Sequence, residues 1–122
     1  MRPISLTWFS TVVDSRDPQA LAKFWCDALG YRIVCQNDHL VDIAPDGSAF
    51  PGLEFVRAPG PKTSKNRLHI DLNPSDQQAE VQRLLGLGAT RIDIGQGNDV
   101  EWVVMADPEG NEFCVLAHQA AW

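Results

Sequence analysis

The strongest constraint on the fold is a repeat of order rather than of letters. Strand, helix, strand, strand, strand is read twice along one chain, because apolar periodicity switches between two and 3.6 at matching places. Residues 4–13 are rich in β-branched and aromatic side chains and read as a strand. Asp17-Pro18 then offers an N-cap followed by proline at the first helical position, where a missing N–H costs nothing. The helix carries Leu21, Phe24, Trp25, Ala28 and Leu29 on one side and stops at Gly30, a good left-handed cap. Strands follow at about 31–36 and 39–44, split by Gln36-Asn37-Asp38. Pro45-Asp46-Gly47 is a turn, and 52–57 is a fourth strand.

The order then starts again. Ala58 to Asn66 is a Pro/Gly/Lys-rich loop, and Arg67 to Leu72 alternates as a strand. Ser75 to Gln78 matches a capping box, and the helix shows Val81, Leu84, Leu85 and Leu87 before Gly88. Residues 89–94, 100–106 and 111–117 read as strands, the last two joined by the turn sequence Asp107-Pro108-Glu109-Gly110. Ala28-Leu29-Gly30-Tyr31-Arg32 stands against Leu87-Gly88-Ala89-Thr90-Arg91, and Asp17 to Gly30 has the same spacing as Ser75 to Gly88. A duplicated βαβββ unit explains this: module one at about 4–57, module two at about 67–117.

Composition bounds the function. At 122 residues and 44% hydrophobic, the chain is read as a single α+β domain with a real core. A net charge of −6 argues against nucleic acid as a partner. No stretch reaches the roughly 20 apolar residues that span a bilayer, so no membrane partner is expected. Met1-Arg2-Pro3-Ile4-Ser5-Leu6 lacks the apolar run of a signal peptide, and Cys26, Cys35 and Cys114 have the spacing of reduced thiols; both fit a cytoplasmic protein. Arg57, Lys62, Lys65 and Arg67 lie between Glu54 and Asp71 with no acid among them. They are either a solvated loop or a basic lip that attracts an anionic small molecule.

Three stretches carry a resemblance: Asp17-Pro18-x-x-Leu21-Ala22-x-Phe24-Trp25, Lys65-Asn66-Arg67-Leu68-His69-Ile70-Asp71-Leu72, and Trp102 through Asp107-Pro108-Glu109-Gly110-Asn111-Glu112-Phe113-Cys114. With them the chain resembles the glyoxalase/bleomycin-resistance/dioxygenase group, the vicinal-oxygen-chelate superfamily, over about residues 4–117. The resemblance implies two βαβββ modules forming a curved eight-stranded mixed sheet, with helices on the convex side and a ligand on the concave side. It also implies a homodimer, with an interface above roughly 1,000 Å².

The resemblance further implies a divalent metal held from the first and last strand of each module. His69 lies where a histidine ligand lies, and Glu54 matches a carboxylate ligand two residues out of register. The first strand has no His, Glu or Asp, so Trp8 or Ser10 occupies that place. The last carboxylate falls at Cys114, with Glu112 two residues earlier on the same face. With a ligand missing, the expectation is no tightly bound metal. The alternative is a zinc, nickel, manganese or iron ion on His69, Glu54 and either Cys114 or Glu112.

On the second module's first strand, Leu68, Ile70 and Leu72 should pack on helices while Arg67, His69 and Asp71 face the cup. Asp71 then either salt-bridges Arg67 or flanks His69 and tunes a general base. Trp8 and Trp102 either stack on a flat ligand or pack in the core, and Trp25 belongs to the core. Three function classes remain open on these residues. One is an isomerase or lyase that abstracts a proton beside a carbonyl, with His69 or Glu54 as base. The second is a non-catalytic, antibiotic-type sequestering protein, and the third is a regulatory domain. In the first two the ligand is a small oxygenated or anionic metabolite touched by Trp8, Arg67, Asp71, Trp102, Glu112 and Cys114.

Overall fold

The computed structural model describes residues 4–48, 51–93, 95–97 and 99–120. The chain forms two compact units that meet between Pro59 and Gly60, inside the loop separating the modules. Each unit is one βαβββ module with a four-stranded mixed sheet.

Module one contains β1 (Ser10–Ser15), α1 (Pro18–Leu29), β2 (Arg32–Gln36), β3 (Leu40–Ala44) and β4 (Gly52–Arg57). Its sheet runs in the order β1-β4-β3-β2, with β1 parallel to β4 and the other pairs antiparallel. The helix starts where the sequence predicts: Pro18 opens it, and Asp17 accepts a hydrogen bond from the Ala20 amide at 3.2 Å. It ends at Gly30, whose φ of 71° is left-handed backbone that a Cβ would oppose. The buried side of α1 holds Leu21, Phe24 and Trp25, and the helix packs on β3 and β4, whose inward residues are Val41, Ile43, Leu53 and Phe55. Phe24 and Trp25 meet edge to face with ring centroids 5.2 Å apart. Each such side chain contributes roughly 1.5–3 kcal/mol by leaving water.

The first strand is shorter than its composition predicts. It begins at Ser10, not at residue 4, and Ile4, Leu6, Trp8 and Phe9 are exposed. The reason is the partner strand. The ladder starts at Ser10 opposite Gly52, and the Gly52 amide donates to the Phe9 carbonyl. One residue earlier stands Pro51, which has no N–H to continue it.

Module two contains β5 (Ile70–Leu72), α2 (Gln77–Leu87), β6 (Thr90–Arg91), β7 (Val103–Ala106) and β8 (Glu112–Val115). Its order, β5-β8-β7-β6, repeats that of module one, including the parallel pair of first and last strands. Gly88 closes the helix as predicted, with φ 116°. The N-cap is Asp76 rather than Ser75, its carboxylate accepting from the Ala79 amide at 3.1 Å, so the expected Ser75–Gln78 capping box does not form. A charged acceptor suits the positive end of the helix better than a hydroxyl.

All four strands of this module are shorter than predicted. Gly95 and Gly97, at φ 92° and 76°, turn the chain away soon after Arg91 and shorten β6. Ile94, expected in that strand, lies outside the described residues. At the other end Asp107 closes a tight turn. Its Oδ1 accepts from the amides of Glu109 and Asn111 at 2.9 and 3.0 Å, and Gly110 takes φ 88°. The Asp-Pro-Glu-Gly-Asn stretch is therefore a structural turn, and it sets where β8 begins.

Candidate functional site

Parallel pairing of β5 with β8 places Asp71 beside Cys114, and neighbouring strands lie about 4.8 Å apart. His69 stands just before β5, two residues from Asp71. Its Nε2 lies 3.1 Å from Asp71 Oδ1. Donor atoms of His69, Asp71 and Cys114 all fall within 4.8 Å of one another, with Cys114 buried and the other two exposed. The result is a thiol floor with an imidazole and a carboxylate open to solvent above it. Burial pushes the Cys114 thiol up from its ordinary value; the Asp71 carboxylate pushes it further, and the Lys65 ammonium pulls it partly back.

Of the two partners open to Asp71, the structure has the contact with His69 and, among the described residues, no salt bridge with Arg67. Leu68 is also not on a helix: it is 88% exposed. The strand expected from Arg67 starts only at Ile70, and residues before it fold over Glu112 instead. Glu112 accepts from Lys62 Nζ at 2.9 Å and from the Asn66 amide at 3.2 Å. Burial alone would raise its carboxyl, but the Lys62 ammonium and the backbone amides hold it below the usual carboxylate range. Glu112 shares the Cys114 face by alternation, yet its oxygens are committed to tying down the 62–66 loop.

This also reduces the basic lip. Lys62 is spent on Glu112, while Arg57 bonds the carbonyls of Asp38 and Arg16 and the Gln19 side chain within module one. Lys65 is the cation whose charge is felt at Cys114, and Arg67 is exposed two residues before His69. Trp8 and Trp102 are not strand residues. Trp8 is 70% exposed with its Nε1 donating to the Ser10 carbonyl, and Trp102 lies just before β7.

In module one, Glu54 faces Asp42 across the antiparallel β3–β4 pair. Asp42 was not singled out by the sequence reading, although its alternation with Val41 and Ile43 puts an acid on the face away from α1. Its Oδ1 is buried and has no donor. Burial, then the Asp42 charge and hydrogen bonding with it, raise the Glu54 carboxyl above its ordinary value. An acid so placed disfavours the charged form of Glu54.

The sign of the pH effect follows. A raised carboxyl contributes stability below its unfolded pKa, about 4.3, and that contribution is lost as pH rises through the folded value. Glu54→Gln should therefore raise the melting temperature at pH 7, with the gain shrinking toward pH 4. Melting curves at both pH values check this; a variant less stable than the parent at pH 7 would contradict it.

The donor chemistry can be tested against the divalent ion that the resemblance implies. Nitrogen, oxygen and sulfur from His69, Asp71 and Cys114 fit a borderline-soft ion such as zinc, which takes this mixture in sites with an open position. They fit a hard, all-oxygen ion poorly. Among the described residues the only group of three such donors is this one.

Two tandem βαβββ units, each with its first and last strands paired in parallel, are the architecture of the vicinal-oxygen-chelate class. The chain belongs to the Glyoxalase-like domain family, whose sequence profile matches residues 10–116. Comparison with curated proteins gave no significant match. Solved structures share the fold. A glyoxalase/bleomycin resistance protein/dioxygenase family enzyme from Burkholderia phytofirmans aligns with TM-score 0.64 and 17% identity over 90% of this chain and 97% of that one. A bleomycin resistance determinant encoded on transposon Tn5 aligns with TM-score 0.61 and 17% identity over 94% and 100%. The trypanothione-dependent glyoxalase I of Leishmania major aligns with TM-score 0.67 and 17% identity over 93% and 87%. No described helix is long and apolar enough to cross a membrane.

Proposed function

We propose that this glyoxalase-like protein binds a small oxygenated anion, a carboxylate or phosphate-bearing metabolite or a planar aromatic acid, over the face formed by His69, Asp71 and Cys114. The observation that carries this reading is the convergence of those three side chains on one sheet face, two of them solvent-accessible. Lys65 supplies positive charge felt at Cys114 in a chain of net charge −6, and Arg67, two residues before His69, is proposed to add to it. Trp102, half-exposed before β7, is the aromatic contact proposed from the same module. A divalent ion held by these residues would polarise an oxygen of the bound molecule. Cytoplasmic location and assembly as a homodimer belong to the same proposal, since exposed Ile4, Leu6, Trp8 and Phe9 give a second copy apolar surface to cover.

A second reading, proton abstraction next to a carbonyl, draws on the 3.1 Å contact between His69 Nε2 and Asp71. A carboxylate on one imidazole nitrogen orients the ring and leaves the other nitrogen to take a proton. Glu54, with its carboxyl raised beside Asp42, is the other proposed base. Sequestration without chemistry uses the same face and omits this step.

The test is calorimetric titration with small carboxylates, phosphate monoesters and planar aromatic acids, in chelator-treated and in metal-supplemented buffer. At least one class should bind, and a concentration of 100 Kd should stabilise the fold by about 2.7 kcal/mol. His69→Gln should weaken binding without lowering the melting temperature, because the side chain is exposed. Arg67→Ala should weaken it more at low salt than at high salt, since the Debye length is about 8 Å at physiological ionic strength. Binding that is indifferent to both substitutions would remove this face as the site.

A further inference from the structure

We propose that module two by itself holds a zinc ion, ligated by His69 Nε2, an Asp71 carboxylate oxygen and Cys114 Sγ. This departs from the four-ligand pattern that the family resemblance implies. It uses an aspartate outside that pattern and a thiolate in place of a carboxylate, and all its donors come from β5, β8 and the residue preceding β5. It rests on the reading that this face is the working site, and it deepens that reading by naming what the face holds.

Three observations support it. The donors are already gathered within 4.8 Å of one another, with the imidazole–carboxylate edge at 3.1 Å. Zinc bonds of about 2.0–2.3 Å need donors a little closer than the widest of these separations, which side-chain rotation supplies at the two exposed ligands. The second observation is polarity of placement. The buried sulfur comes from the register-locked pair Asp71–Cys114, so it cannot wander, whereas His69 lies outside the ladder and can adjust. The third is chemical: one thiolate among nitrogen and oxygen donors selects zinc over magnesium or calcium. Binding displaces the thiol proton to solvent and leaves a fourth position on the open side for a water or a ligand oxygen.

His69 then acts as a ligand through the nitrogen that otherwise contacts Asp71, so the zinc-bound form and the His69–Asp71 base are alternative states of one cluster. Lys65, whose charge is felt at Cys114, lies close enough to steady an anion there.

The experiment uses the whole chain, stripped of metal, with zinc or cobalt(II) alone as the probe. Competition against a chromogenic chelator should give one zinc per chain, undisturbed by a hundredfold excess of magnesium. Cobalt(II) should show thiolate-to-metal charge-transfer absorption that Cys114→Ser abolishes. Asp71→Asn and His69→Gln should each weaken zinc at least tenfold. Both residues are exposed, so these variants decide the matter even if Cys114→Ser fails to fold, with circular dichroism as the check. Lack of the charge-transfer band in the parent protein, or zinc binding of equal strength in Asp71→Asn and His69→Gln, would overturn the site. Zinc binding in a protein that takes no anion would uphold the metal site and reject the small-molecule reading; anion binding without zinc would do the reverse.

Discussion

Replacing Phe113 with alanine should lower the free energy of unfolding by about 3–5 kcal/mol. Against a total of about 5–15 kcal/mol for a domain of ordinary stability, that is roughly a fifth or more. Phe113 is 1% exposed and lies on the central strand β8, opposite Ile70 on one side and Met105 on the other. Removing its ring leaves a cavity on the buried face of the sheet, where close packing limits how far the neighbours can collapse to fill it. The consequence extends beyond stability. Phe113 points to one side of β8 and Cys114 to the other, so the ring's packing is what holds the thiol toward Asp71. Urea denaturation measures the first effect. Faster alkylation of Cys114 in native buffer, relative to the parent, measures the second. A loss under about 1 kcal/mol would mean that β8 is not the keystone of module two.

The second large effect is expected at Glu112→Gln, about 1–3 kcal/mol of destabilisation at pH 7. The substitution keeps the shape, but leaves the Lys62 ammonium without its counter-charge and weakens the bond from the Asn66 amide. Because the folded carboxyl is held below the usual range, its contribution is present above the unfolded value and lost as pH falls through the folded one. The parent and the variant should therefore converge in stability on acidification, from about pH 4.3 downward. Urea titrations at pH 7 and pH 3 read this directly. An undiminished gap at pH 3 would show that the loop is held by something other than this carboxylate. The same variant should loosen residues 62–66, which limited proteolysis detects.

Glu112 and Glu54 titrate in opposite senses although both are glutamates on last strands of their modules. The difference is their company. Glu112 has a cation and a backbone amide within 3.3 Å, whereas Glu54 has another acid across the strand pair. Neither environment is legible from the residue alone.

Much of the architecture was legible. Asp17-Pro18 and Gly30 marked both ends of α1, and Gly88 marked the end of α2, because cap chemistry is local and depends on a few neighbouring residues. The strand Gly52–Arg57 was read at its observed limits, since alternation of Leu53 and Phe55 with Glu54 and Val56 has one workable register. The core role of Trp25 followed from its place on the apolar side of α1. Strand ends were less readable. Residues 4–9 have strand composition, but a strand needs a partner, and Pro51 ends the ladder from the other side. Arg67 to His69 alternates well, yet the Asn66 amide turns to a carboxylate contributed from residue 112.

The candidate site divides in the same way. A period of two suggested that His69 and Asp71 share a side, but His69 precedes β5, and their 3.1 Å contact is set by how the chain enters the strand. Which partner Asp71 would choose, Arg67 or His69, depended on how the chain enters β5, and that is a tertiary matter. So is the pairing of Asp71 with Cys114, residues far apart in sequence that only the parallel β5–β8 register brings side by side. Lys62 illustrates the point most simply. In the sequence it is one cation in a run of four; in the fold it is the counter-ion of a buried glutamate. Local backbone preferences act within a turn or two of chain and can be read in order. Charge pairing and donor convergence are decided by distances through space, which the sequence specifies only once its strands have found their neighbours.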